Sequence, residues 1–388
     1  MARTPYEGVF VVGAGQTVYQ KRSDKTVHRV IWEALDAGLR SARLAQRDVQ
    51  GLALTCFLLP PDNVTTVCEH FGIEARFLFQ GLYGGASSII GMLHAARAIR
   101  DGNADVVACV AADAFDVAAH NEMLDRFNGP MRDYLAPYGF GGANGVFALH
   151  TRLYMETFGA RREDFGRLCV AQRANAGQNP NALLRTPMSL DDYLNARLIA
   201  EPLRLYDCVM PCVGGDAVIL ASEQVARRLG VPLVRIAGGG EMHNYPANDV
   251  YSLRGGWERI APRMYEQAGC GPRDLAFAQL YDDYPVMEAI QLEGLGIAPR
   301  GKAHEWLRAN DTTWRGTFPI NTGGGQLSAG QAGASGGMIG VVEGVLQLRG
   351  EGGERQVKNA KRGVVAGYGL VAYGRGQSAS AAVLERVD

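Results

Sequence analysis

The feature that most constrains this chain is an internal repeat. GASSIIGMLHAARAIRDG from Gly85 and GASGGMIGVVEGVLQLRG from Gly333 have equal length, open on Gly-Ala-Ser and close on glycine at Gly102 and Gly350. Each reads as a glycine-rich turn feeding a long apolar helix, and each leads into an apolar run with strand character, at 105–112 and 363–371. The elements upstream recur as well. A strand at 8–13 precedes a helix from Val27, whose Val30, Ile31, Ala34, Leu35 and Gly38 share one face, and a strand at 51–54 follows. A strand at 233–237 then precedes a helix over Trp257–Ala268 and a strand at 275–281. Repetition in register predicts two pseudo-equivalent α/β halves, placed at 1–230 and 231–388.

Fifty glycines gather at 81–91, 238–240, 323–340 and 367–376, beside strand and helix signals, which implies close backbone approaches and not a flexible linker. With 47% apolar and 20% charged residues the chain is a folded protein, and a formal charge of -1 disfavours both nucleic acid and an anionic membrane surface. Seven scattered cysteines without a CxxC pair read as free thiols in a reducing compartment. Cys208 and Cys212 lack a second ligand pair at zinc-ribbon spacing, so no metal is expected. The first residues enter a strand without an apolar targeting segment, and no apolar run reaches membrane-spanning length, so the expected location is cytoplasmic. Between the halves, residues 115–206 are rich in Arg, Asn, Pro and Tyr and are too long for a bare connection. They are expected to carry short helices, either as a surface insertion or as a lid over a ligand cleft.

Five fragments then carry a family resemblance in the family's order: GGASSIIGMLHAARAIRDGNADVVACVAADA, EPLRLYDCVMPCVGGDAVILAS, AQLYDDYPVMEAIQLEGLG, FPINTGGGQLSAGQAGASGG and GYGLVAYGRGQ. Together they resemble the thiolase superfamily, in the branch of sterol-carrier-type thiolases, archaeal thiolases and lipid-transfer-protein aldolases. The resemblance implies duplicated α/β modules in a layered αβαβα arrangement with a loop-domain insertion. It also implies a ligand, an acyl-CoA thioester, with coenzyme A as part of the substrate and no cofactor bound permanently. A thiolase attacks that thioester with a cysteine at a helix N-terminus, activated by a histidine. Here the cysteine's place falls at Gly85 and the histidine's at Gln331, which cannot take up a proton at neutral pH. The proton-passing cysteine aligns with Ala372 or Tyr373, and the usual Asn-Glu-Ala-Phe segment reads Tyr281-Asp282-Asp283-Tyr284.

Backbone N–H groups at Gly85 and near Gly374 could still form an oxyanion hole. Tyr281, Asp282 and Asp283 end a predicted strand at the ligand side of the sheet, and if both carboxyls entered an enclosed cleft one would become a usable acid or base; the other reading, in which an Asp caps the helix starting near Pro285, assigns that cap to Asp283. The aldolases resembled here use tyrosine for proton transfer. Tyr245, in the irregular stretch that ends at Tyr251, is therefore a candidate, although the tyrosine those aldolases carry at Ser328-Ala329-Gly330-Gln331 is missing. His243 is a further candidate near the ligand, whereas His94 and His150 suit the core. Arg132, Arg173 and Arg185 could hold the CoA phosphates, or simply be solvated charges, and Gly324 and Ser328 of the glycine-rich turn are assigned to the same ligand.

The leading functional expectation is carbon-carbon bond cleavage or formation of retro-aldol type, without a cysteinyl intermediate. The alternatives are a non-catalytic homologue serving as a CoA-binding or scaffold subunit, and an acetyl-CoA acyltransferase. The resemblance further implies a homodimer and a small zinc-ribbon and OB-fold partner protein.

Overall fold

The computed structural model describes residues 4–125, 128–139 and 142–387. The strands are β1 (Val9–Gln16), β2 (Gly51–Thr55), β3 (Phe77–Gln80), β4 (Val106–Ala114), β5 (Leu198–Ala200), β6 (Leu203–Arg204), β7 (Val213–Ser222), β8 (Leu233–His243), β9 (Phe277–Gln279), β10 (Arg362–Ala372) and β11 (Arg375–Val387). Nine of them form one mixed sheet in the order β3-β2-β4-β7-β1-β8-β11-β10-β9, while β5 and β6 make a separate antiparallel pair. The repeat is legible in this order. β2 runs parallel to β4, which is antiparallel to β7, which is antiparallel to β1; β9, β10, β11 and β8 repeat the same relations. The two four-strand units meet where β1 pairs with β8 over only two residue pairs, Phe10 with Arg235 and Val11 with Val234.

The repeated helices, Ser87–Arg100 and Ile339–Arg349, lie between the two units, and their Met92, Leu93, Val342 and Val345 share a core with Val107 of one unit and Val365 of the other. Helix Val27–Ala42 packs outside the first unit and Trp257–Ala268 outside the second, giving five layers, αβαβα. β4 shows why its sequence is continuously apolar: Val107, Cys109 and Ala111 face the central helices, while Val106, Ala108, Val110 and Ala112 face the outer layer.

Helix Val27–Ala42 starts where expected, with the Thr26 side chain accepting from the Arg29 N–H. Two strands depart from their expected bounds. β8 runs on to His243 because it pairs with β11 along its whole length. β9 stops at Gln279 because side chains take over the ladder: Leu280 N–H donates to Asn321 Oδ1 at 2.7 Å and Tyr281 N–H to Gln291 Oε1 at 2.9 Å. The glycine clusters mark close approaches, as expected. A Cβ on Gly337 would lie 2.2 Å from the Gly85 carbonyl oxygen, and one on Gly369 would lie 2.4 Å from the Gly85 nitrogen.

The segment 115–206 is not one unit. Helices Gly142–Phe158 and Arg162–Gly177 belong to the largest core through Phe147, Tyr154, Phe165 and Leu168. Arg162–Gly177 has weak periodicity because its polar side chains are themselves buried and paired: Asp164 with Arg308 at 2.7 Å, Gln172 with Glu288 at 2.6 Å and Asn175 with the Ile320 carbonyl at 2.9 Å. Only the stretch from helix Val117–Asp125 to Asn144 has a covering position; within it Arg126, Phe127, Phe140 and Gly141 lie outside the described residues.

Candidate functional site

Both glycine turns, Gly84–Ala86 and Gly333–Gly337, deliver the central helices to the same point between the units, and a cavity of about 210 Å³ opens there. Gly84, Gly85, Tyr281, Asp283, Gln331 and Gly333 line it from the body of the protein, and Val117, His120, Asn121, Met123 and Met131 from the covering stretch. Gly85 is glycine for a steric reason. A Cβ there would lie 1.9 Å from Tyr281 Cε2 and 2.4 Å from Cζ, so the tyrosine ring occupies the volume that a side chain at residue 85 would need. Tyr281 is held in place from both ends of its peptide, since its N–H donates to Gln291 Oε1 and its carbonyl accepts from Gln291 Nε2 at 2.6 Å.

Burial, reinforced by the charges of Asp283 and Asp282, pushes the Tyr281 phenol well above 10.0, so it remains a proton donor at neutral pH. The side-chain amides of Gln331 and Gln326 lie beside it. Asp282 is a structural group: its carboxylate accepts from the backbone N–H groups of Gln326 at 2.9 Å and Leu327 at 3.2 Å, fixing the turn Gly325–Ala329, and burial raises it to about 6. Asp283 differs. Burial and the neighbouring Asp282 hold its carboxyl well above 3.8, and its buried Oδ1 has no hydrogen-bond partner among the described residues. The expected capping role does not hold, because Tyr284 is the N-cap of helix Pro285–Gly294 and no side-chain hydrogen bond caps it, while Asp283 lies at the cavity wall. Tyr284 stacks on Phe147 at 4.4 Å and donates from its hydroxyl to Asn144 Oδ1 at 2.7 Å, joining the cavity floor to the cover.

Three cavity groups had no local signal in the sequence. His120 sits in a short, weakly patterned helix, stands beside Gln331 and packs edge-on against Phe115 at 5.6 Å; burial lowers its pKa, so the ring is neutral at pH 7. Cys208 lines the cavity, but burial, helped by Asp207, pushes its thiol up to about 12, which leaves little thiolate. Asn144 is tied to Tyr284.

Of the residues singled out from sequence, Gly85, Tyr281, Asp283 and Gln331 come together at the cavity. Gly374 does not: it lies in the β10–β11 turn, where a Cβ would meet the Tyr251 ring at 2.6 Å, and Gly369 and Leu370 approach Gly84 and Gly85 instead. The reason is strand length, since β10 continues to Ala372 and carries the turn past the cavity. Tyr245 is also elsewhere, under the Arg259 guanidinium at 5.9 Å, with its carbonyl facing Arg375. His243 bonds Ser378 at 2.9 Å, His94 bonds Glu241 at 3.1 Å, and His150 is buried against the Val146 carbonyl. Arg173 and Ser328 are buried and bond each other at 3.0 Å, so neither faces a phosphate. Gly324 is pressed against Ala176, where its Cβ would lie 2.5 Å away. Arg132 is exposed beside Met131 and pairs with Asp133 at 2.6 Å, and Arg185 is exposed against the Gly177 carbonyl.

Residues 242–386 match the family described as Thiolase C-terminal domain-like. The steroid side-chain-cleaving aldolase of Thermomonospora curvata is 32% identical over 356 residues, covering 88% of this chain and 90% of that protein. The 17-hydroxy-3-oxo-4-pregnene-20-carboxyl-CoA lyase of Mycobacterium tuberculosis is 34% identical over 358 residues, covering 88% and 91%. The solved Ltp2-ChsH2(DUF35) aldolase superposes with a TM-score of 0.83 at 29% identity over 98% of both chains. An acetyl-CoA acetyltransferase of Syntrophomonas wolfei, 14% identical with a TM-score of 0.71 over 98% of this chain and 99% of its own, shares the fold. The chain belongs to the thiolase superfamily, in its branch of sterol-carrier-type thiolases and aldolases.

Proposed function

We propose that this protein is an enzyme that cleaves a carbon-carbon bond in a β-hydroxyacyl-CoA by a retro-aldol reaction, with no acyl-enzyme intermediate. The observation that carries this reading is the Tyr281 ring in the space of a residue-85 side chain, because it removes room for a nucleophile and puts a phenol there instead. A retro-aldol step needs an acceptor for the hydroxyl proton, a donor to the thioester oxygen while the enolate forms, and a proton for the enolate carbon. The Tyr281 phenol supplies the donor, and His120 and Asp283 are the groups able to exchange protons. The names of the two relatives, an aldolase and a CoA lyase, agree with this chemistry, and the high pKa of Cys208 opposes acyl transfer through a displaced cysteine.

The reading extends to assembly. The substrate is a CoA thioester and no cofactor is bound permanently. A second copy pairs along β3, whose outer edge has no neighbouring strand among the described residues and where Leu78, Leu82 and Tyr83 are exposed. A small zinc-ribbon and OB-fold protein accompanies the enzyme, in line with the name of the solved Ltp2-ChsH2(DUF35) aldolase. No helix among the described residues is long and apolar enough to cross a membrane, and a cytoplasmic location fits a CoA substrate. The test is to incubate the protein, alone and with the product of the neighbouring gene, with 3-hydroxyacyl-CoA thioesters that differ at the β-carbon. Release of a carbonyl compound together with a shortened acyl-CoA is expected; CoA binding without any cleavage would sink the proposal and leave a binding subunit.

A further inference from the structure

We propose that His120 takes the proton from the substrate's β-hydroxyl and returns it to the enolate carbon, with Gln331 holding the imidazole in place. The inference rests on the retro-aldol reading and names its base. Helix Val117–Asp125 carries His120 to the cavity wall, in company with Gly85 and Tyr281. The ring meets the fully buried Phe115 edge-on, at 90° and 5.6 Å, which limits its rotation. Gln331 stands beside it, and the buried Gln331 Oε1 lacks a hydrogen-bond partner among the described residues. An imidazole that gives its one N–H to that carbonyl presents a lone pair on the other nitrogen.

The other cavity groups suit this step less well. Tyr281 and Tyr284 hold their protons, Cys208 does too, and the amides of Asn121, Asn144 and Gln331 do not titrate. Burial and Asp282 raise the Asp283 carboxyl well above 3.8, which favours its neutral, proton-donating form. Glu122 is exposed on the same helix as His120. Burial keeps His120 neutral, hence ready to accept. In the step, the imidazole lone pair takes the hydroxyl proton, the O–H electrons form the carbonyl, the Cα–Cβ bond breaks, and its electron pair moves into the thioester enolate. The imidazolium then gives the same proton to Cα, so the reaction balances without an external acid or oxidant. The arrangement also accounts for glutamine at residue 331, which has no proton to exchange but carries an acceptor for a neighbouring ring.

The experiment compares wild type, His120→Ala and His120→Gln, with the accessory protein present where one co-purifies, on a 3-hydroxyacyl-CoA that wild type cleaves. Both variants should lose about 100- to 1000-fold in kcat, the usual scale for a general base, with KM within about threefold. Wild-type kcat/KM should fall on the acid side with a midpoint below the usual histidine value of 6.5, and this limb should vanish in the variants. Added imidazole should restore part of the activity of His120→Ala, which a purely structural role would not allow. Retention of wild-type kcat, or of the acid limb, in a variant that folds would overturn the assignment of His120 while leaving retro-aldol cleavage standing. If wild type cleaves no such thioester, the reaction itself is wrong.

Discussion

Gly85 and Tyr281 form a pair whose members are each explained by the other. A methyl group at residue 85 cannot coexist with the ring 1.9 Å away, and the tyrosine cannot swing aside freely because Gln291 clamps its backbone. Gly85→Ala should therefore destabilise the protein by about 3 kcal/mol or more, at or beyond the upper end of ordinary overpacking. Tyr281→Ala alone should cost about 3–5 kcal/mol by leaving a cavity. The double variant should be no less stable than Tyr281→Ala, since the methyl then enters empty space. Additive losses in urea unfolding would show that the ring and residue 85 do not compete for one volume. The same clash predicts that Gly85→Cys will not give acetoacetyl-CoA thiolysis, a conclusion that the loss of the histidine at Gln331 supports independently.

At the scale of elements, the region between the halves divides into a lightly anchored cover and a fixed body. Helices Gly142–Phe158 and Arg162–Gly177 are pinned by buried aromatic rings and by paired polar groups, whereas Val117–Asp125 and residues 128–139 offer exposed Val117, Tyr134 and Tyr138. Local opening costs least where few apolar groups are buried. CoA thioester should therefore slow amide exchange in 117–125 and 128–139 and leave the two long helices nearly unchanged. Equal protection across 115–206 would mean that the whole segment closes as one lid; no protection before residue 142 would mean that the cover does not touch ligand.

For the molecule as a whole, buried carboxyls decide how stability responds to acid. Asp113, which accepts from the N–H groups of Leu58 at 2.9 Å and Ala334 at 2.8 Å, Asp216, which accepts from Gln16, Tyr19 and Ser335, and Asp282 are each raised by burial from 3.8 to about 6. Their native pKa lies above the unfolded value, so between about pH 4 and 6 the native state binds more protons. Their contribution is fully present below the unfolded pKa and is lost as pH rises through 6. Asp164 acts oppositely: although burial opposes it, Arg308 holds its pKa below 3.8, and that stabilisation disappears only in stronger acid. Burial lowers His120 and His150, so the unfolded state takes up those protons first and opposes this trend; with more raised carboxyls than lowered histidines, stability should still rise from pH 7 to pH 5, by up to ~1.4 kcal/mol per pH unit for each net proton taken up. A steady fall in urea midpoint over that interval would contradict it.

The repeat, its glycine turns and the periods of its helices and strands are local, and the sequence displays them because each is written in the spacing of a few neighbouring residues. Those signals, with five motif fragments, are enough for the layered fold and for Gly85, Tyr281, Asp283 and Gln331 as cavity residues. What only the tertiary structure decided depends on distant partners. Tyr281 fills the place of a residue 196 positions earlier in the chain, His120 gains its environment from Gln331 and Phe115, and Arg173 and Ser328 satisfy each other although they look available as single residues. Gly374 departs from its expected place for a related reason: strand length is set by pairing with β11, so the position of a turn along β10 is not encoded in its own glycines. A sequence displays periodicity and backbone freedom directly. It does not display which side chain occupies a given volume, because that is settled by packing between segments far apart in the chain.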